Sequence, residues 1–251
     1  MVDYYKLKSM GILFLFAAAL LPTALLWVYV WKKDQQPEPT RWLVRAVMSG
    51  VVICLPVALL EVGIETILFG EGGQPSDLLG TTVMAFFVAA VPEESFKLLA
   101  LWLVLRKNPF FDEHYDGIVY AVCVGLGFAA LENLFYVLGN EENWIGVAVA
   151  RALLAVPGHY AFAVFMGYYY SVYHFVDHSP KVAGLVLAVP IVAHGIYDSL
   201  AMSGMVNETI GGISAFVLIY FCVKMHKFAR TKMLAQIERD ENNMDLQDTI
   251  V

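Results

Sequence analysis

The sequence predicts an all-α, polytopic transmembrane helical bundle, and three observations carry that reading. Of 251 residues, 59% are hydrophobic and 16% charged, against about 45–50% and about 25% in ordinary soluble domains. The mean hydropathy is +0.63. The apolar residues also fall in unbroken runs of the length a bilayer demands, about 20 residues per helix.

The runs come in order along the chain. Gly11 to Trp31 follows a short stretch with Lys6 and Lys8 and stops at Trp31-Lys32-Lys33, an aromatic anchor with a charge pair; no A-x-A cleavage site follows, so the segment reads as a retained span. Six more spans follow: Trp42–Leu68, Thr81–Leu105, Ile118–Leu138, Ile145–Val176, Val182–Gly204 and Ile210–Met225. Between them stand turn-forming stretches such as Gln35-Gln36-Pro37-Glu38-Pro39, Asn108-Pro109 and Ser179-Pro180. The total is seven spans, or eight if Pro157-Gly158 breaks the long fifth one. Residues 1–226 then form one transmembrane domain, and residues 227–251 a polar cytoplasmic tail expected to be solvated.

Basic residues set the orientation. Lys32, Lys33, Arg41 and Arg45 flank the first connection, Arg106 and Lys107 lie on the third, Lys181 on the fifth, and Lys224, Lys227, Arg230, Lys232 and Arg239 follow the last span. The second, fourth and sixth connections carry none. Lys6 and Lys8 are outweighed by the four on the other flank. By the positive-inside rule the N-terminus is outside and the C-terminus cytoplasmic. A net charge of −7 and a pI near 5.3 leave no basic stripe for nucleic acid. Cys54, Cys123 and Cys222 each sit in an apolar run, as small packing residues rather than a disulfide framework.

Several ionisable residues lie at membrane depth: Glu93, Glu94 and Lys97 in the third span, Glu132 in the fourth, His159 in the fifth, His194 and Asp198 in the sixth. A central charge costs about 2.5–3.5 kcal/mol on insertion scales, so such groups persist when they are paired or at work. Glu93 and Lys97 are four apart and share a helix face, as do His194 and Asp198. Counted from the outer end of each span, Glu93, Glu132, His159, His194 and Asp198 lie roughly 18, 9, 21, 15 and 9 Å deep at the helical rise. One layer covering the outer half and the midplane of the membrane holds all five, which points to a shared polar cavity. Glu61 and Glu65, near the outer end of the second span, are expected to face water.

Two imidazoles with carboxylates make a ligand set suited to zinc, drawn from His159, His194, Glu132 and Asp198, with Asp198 alternatively orienting His194. A glutamate beside a metal-bound water can take its proton and pass it to a leaving amine, which is the chemistry of peptide hydrolysis.

The motifs are more specific than their parts. Glu93-Glu94-Ser95-Phe96-Lys97 reads E-E-x-x-K, Phe128 to Glu132 reads F-x-x-x-E, and His194 to Asp198 reads H-x-x-x-D, with Pro157-Gly158-His159 between the last two. This ordered set resembles the PrsW family of intramembrane proteases, relatives of the CAAX-processing and bacteriocin-processing membrane proteases. The resemblance implies that Glu93 and Glu94 supply the general base and that His159 and His194 bind metal or hold the water. It implies a bacterial or archaeal cell membrane and a membrane-anchored, single-span substrate such as an anti-sigma factor, first cut on the extracytoplasmic side. CAAX-processing relatives carry Arg after the paired glutamates and His where Glu132 stands, so prenyl-protein processing is disfavoured.

Other designs lack their motifs. No H-E-x-x-H occurs, no Gly-x-Ser-Gly serine lies at depth with a partner histidine, and Tyr197-Asp198 has no companion Gly-x-Gly-Asp. The alternative from a different class is a transporter or proton relay working through midplane Glu, His and Asp. Inverted, similarly punctuated halves would support it, and none are visible.

Overall fold

The computed structural model describes residues 2–140 and 142–250, with side chains described for 14–140 and 142–243. Among these residues the chain forms seven long helices and no strands. They are α1 (Val2–Trp31), α2 (Thr40–Phe69), α3 (residues 78–105), α4 (Asp116–Leu138), α5 (Trp144–Phe175), α6 (Pro180–Met202) and α7 (Glu208–Ile250). Six of them are long and apolar enough to cross a membrane. The exception is α3, whose apolar course is interrupted by Glu93, Glu94 and Lys97.

Local signals explain where these helices begin. Asp77 accepts a hydrogen bond from the Gly80 amide at 2.7 Å and so caps α3. Ser179 caps α6 through the Val182 amide, and Pro180 occupies the first helical position, where its missing N–H costs nothing. Asn207 Oδ1 accepts from the amides of Thr209 and Ile210 at the head of α7.

Two helices change register just before a proline. Met84–Ala90 in α3 and Arg151–Ala155 in α5 are π-helical, and the amides of Val91 and Val156 donate five residues back, to Phe86 and Arg151. Pro92 and Pro157 cannot donate to the carbonyls four residues behind them, and the wider turn absorbs that vacancy without a break. The fifth span therefore remains one helix through Pro157.

At the centre stands α4, with every residue from Asp116 to Ala129 buried. The outer helices expose apolar surface: Leu59 and Ile67 on α2 are 76% and 83% accessible, and Phe216 on α7 is 79%. Such surface suits lipid. Lipid tails are as apolar as leucine, so close packing rather than the hydrophobic effect must hold the helices together. Glycines permit it. A Cβ on Gly127 would lie 2.2 Å from the Val47 carbonyl oxygen, and one on Gly167 would lie 2.3 Å from that of Gly117. Gly127→Ala is expected to push α4 off α2, costing about 1–3 kcal/mol as overpacking does. Gly63→Ala, where a Cβ meets nothing within 4 Å, is the control. A melt in detergent should show a lowered transition for the first variant and none for the second.

The expected solvated tail differs in the structure. Helix α7 runs on through this segment, and Ala229, Met233, Gln236 and Asp240 are buried against the bundle. Gln236 Nε2 donates to the Tyr168 carbonyl at 3.3 Å, and Asp240 accepts from the amides of His114 and Tyr115. The polar residues between these four, spaced at three and four, take the outer face, which is why composition alone reads as solvated.

Candidate active site

The π-helical turns deliver the chemistry. Glu93 and Glu94 follow Pro92 directly, and His159 lies two residues after Pro157, so both register changes precede site residues. From α4 comes Glu132, and from α6 come His194 and Asp198.

These side chains form one connected network. Lys97 Nζ donates to Glu93 Oε2 and Glu94 Oε1, both at 2.8 Å, and to His159 Nδ1 at 3.1 Å. An ammonium has no lone pair, so His159 Nδ1 is the acceptor; its Nε2–H then donates to Glu132 Oε2 at 2.8 Å. His194 Nδ1 meets Glu94 Oε1 at 2.9 Å and its Nε2 meets Asp198 Oδ2 at 3.1 Å. Both ring nitrogens face carboxylate oxygens, which makes both donors. The Phe162 ring stacks on His194 at 4.7 Å, and Lys97 Nζ lies 4.5 Å from the Phe128 ring centroid. Glu93, Glu94, Lys97, His159 and His194 are all buried, Glu94 completely.

Every ionisable residue singled out by depth thus reaches the same place, but the pairing is finer than spacing indicates. Of the four residues assigned to metal ligation, Glu132 pairs with His159 and Asp198 with His194. The group whose ligand atoms all lie within 4.8 Å of one another is Glu93, Glu94 and His159. Lys97 Nζ sits on those same three residues. Glu94 Oε2 is buried with no hydrogen-bond partner.

Two contributors escape the depth argument. Arg151, in the π-helical turn of α5, donates to Glu132 Oε2 at 2.7 Å, hydrogen-bonds Asn133 through Nε, and lies 4.1 Å over the Tyr136 ring. Its signal was present: an arginine well inside an apolar run carries the same insertion cost as the residues that were singled out. Glu61, expected to face water, instead lines the site cavity with Glu65, and its Oε1 is buried without a partner. The face of α2 that carries Ala58, Glu61 and Glu65, at three- and four-residue spacing, turns inward.

The cavity has a volume of about 700 Å³ and is lined by Glu93, Glu132, Arg151, His159, His194 and Asp198 together with the two α2 glutamates. Glu94 does not line it. Fold and site together define a multi-pass membrane protein with a buried carboxylate–imidazole centre opening on one largely apolar cavity into which the ionisable side chains project.

Comparison with known proteins agrees with the motifs. A family model described as PrsW family intramembrane metalloprotease matches residues 38–225. The protein named Protease PrsW in Bacillus subtilis is 32% identical over 225 residues, covering 88% of this chain and 98% of its own. Those of Oceanobacillus iheyensis and Geobacillus kaustophilus are 32% and 35% identical over 204 and 191 residues. They cover 81% and 75% of this chain, and 86% and 80% of their own lengths. No solved structure matches. The chain belongs to the PrsW family of intramembrane metalloproteases and is an intramembrane peptidase.

Proposed function

We propose that the protein hydrolyses a peptide bond of a single-span membrane protein near its extracytoplasmic end, with Glu93 activating the water. The observation that carries this reading is the asymmetry of the glutamate pair. Glu93 lines the cavity, whereas Glu94 is wholly buried behind it and held by Lys97 and His194. Glu93 takes the proton from a water in the cavity and returns it to the leaving amine. Glu94 and Asp198 fix the His194 ring, whose Nε2 stands 3.9 Å from Glu93 Oε1 and can hold the same water. Arg151 and His159 both bind Glu132 and keep that carboxylate in place at the cavity wall.

The residues fit a metal of the zinc class. Carboxylate and imidazole donors converge within 4.8 Å, and Glu94 Oε2 has a buried, unused lone pair. Glu94 and His159 would hold the ion, in the place the Lys97 ammonium takes, with Glu93 beside it as the base. When bound, zinc supplies an acidified water and a Lewis acid for the scissile carbonyl.

The charge tally of the connections puts the cavity nearer the extracytoplasmic face, which favours a cut in the outer half of a substrate helix, where local unwinding must expose the bond. An anti-sigma factor is a substrate of this kind. The test is reconstitution into vesicles with candidate single-span proteins, with fragments mapped by mass spectrometry. Cleavage in the outer segment is expected, abolished by chelation and restored by zinc. Cleavage on the cytoplasmic side would overturn the topology or the site. Activity that survives exhaustive chelation would remove the metal and leave the glutamate.

A further inference from the structure

A second set of carboxylates gathers at the other end of α4. Asp116 opens that helix, 16 positions before Glu132 and so about 24 Å from it along the axis. One oxygen from each of Asp34, Glu113 and Asp116 falls within 4.8 Å of the others, and the same holds for Glu38, Asp112 and Asp116. Oxygens bound to one ion at about 2.0–2.6 Å lie within about 5 Å of each other, so either trio has ligand spacing.

Crowded acids alone would say little, but here two buried oxygens have no partner. Asp116 is fully buried; its Oδ2 accepts from the amides of Asp112 and Glu113 at 3.1 and 2.8 Å, while its Oδ1 accepts from nothing. Asp34 is 8% exposed; its Oδ1 accepts from the Gln36 amide, and its Oδ2 likewise has no partner. A buried, unsatisfied carboxylate oxygen carries the full desolvation penalty. Among the described residues, no lysine or arginine forms an ion pair with any of these five carboxylates. Lys33 reaches the crevice beside Glu113 and Asp240 without pairing, and His114 is committed to Asp240.

We propose that Asp34, Glu113 and Asp116, with Glu38 and Asp112 beside them, form a site for a hard divalent cation of the Mg²⁺ or Ca²⁺ kind. The donors are all oxygen, with neither thiolate nor free imidazole, which selects hard ions over zinc. Asp34 and Glu38 belong to the connection between α1 and α2, and Asp112 and Glu113 to that between α3 and α4. An ion on Asp116 therefore clasps two connections to the first turn of the central helix. The competing arrangement is a proton shared between the Asp116 and Glu38 carboxyls, which would need no ion.

Terbium separates the two. Tyr120 donates to Glu38 and can sensitise Tb³⁺ luminescence from this site. The full-length protein in detergent, stripped with chelator, should show tyrosine-excited Tb³⁺ emission that Ca²⁺ or Mg²⁺ displaces. Asp116→Asn should lose that emission, and Glu132→Gln, at the peptidase centre, should keep it. If Asp116→Asn does not fold, Glu113→Gln decides: binding at least tenfold weaker is expected, with the Ca²⁺-induced rise in melting temperature reduced in step. Emission unchanged in Glu113→Gln, or lost in Glu132→Gln, would overturn the site, and a shared proton would explain the cluster.

Discussion

Glu93→Gln should reduce kcat by about 10²–10⁴-fold, the usual contribution of a positioned general base, with KM little changed. The amide keeps the shape of the side chain and can still accept from Lys97, so the bundle should lose less melting temperature than it does in Glu94→Gln. Glu94→Gln is expected to act differently. It removes a carboxylate held by both Lys97 and His194 at full burial, so its first effect is a lowered melting temperature, with activity falling because His194 loses its orientation. A single-turnover assay on one substrate, run beside thermal melts of both variants, separates the roles. An active Glu93→Gln beside a fully folded but dead Glu94→Gln would exchange them.

Lys97→Met should be the most destabilising single change in the bundle. Its ammonium contacts Glu93, Glu94 and His159 at once, with side chains at most about 5% exposed. Removing one partner from a buried ionic network costs about 3–5 kcal/mol, because the remaining charges stay in a medium that cannot solvate them. Adding Glu94→Gln should recover part of that loss, since the double variant deletes one of the stranded carboxylates. A melt series of wild type, both single variants and the double variant measures the coupling. Strict additivity would mean that the two groups do not interact. Excess divalent metal should also stabilise Lys97→Met more than wild type if an ion can take the ammonium's place among the same three residues.

The depth of the ionisable residues could be read along the chain because lipid imposes a cost on charge that soluble proteins do not face. That cost makes Glu93, Glu94, Lys97, Glu132, His159, His194 and Asp198 conspicuous against their apolar surroundings, and the fixed rise of a helix turns their positions into a depth. The helix count followed from the same constraint, and Pro157 was the single point where it stayed open. Its outcome depended on whether the preceding turn could widen to a five-residue register, which the backbone of Arg151–Ala155 does.

Partner choice was a different matter. Whether Glu132 meets His159 or His194, and whether Lys97 holds one carboxylate or two, depends on how each helix is rotated about its axis and how closely it approaches its neighbours. Those quantities are set by contacts such as Gly127 against Val47 and Gly167 against Gly117, between residues far apart in sequence. The same holds for the tail, whose buried stripe shows itself only once the connection at His114 and Tyr115 is placed beside Asp240. By itself the sequence determined the class of the protein, its helices and the residues that carry its chemistry, because the bilayer makes charge and length local properties. Tertiary structure alone decided which glutamate faces the cavity, which is anchored behind it, and where buried carboxylates lack a counter-charge, because these depend on the packing of helices against one another.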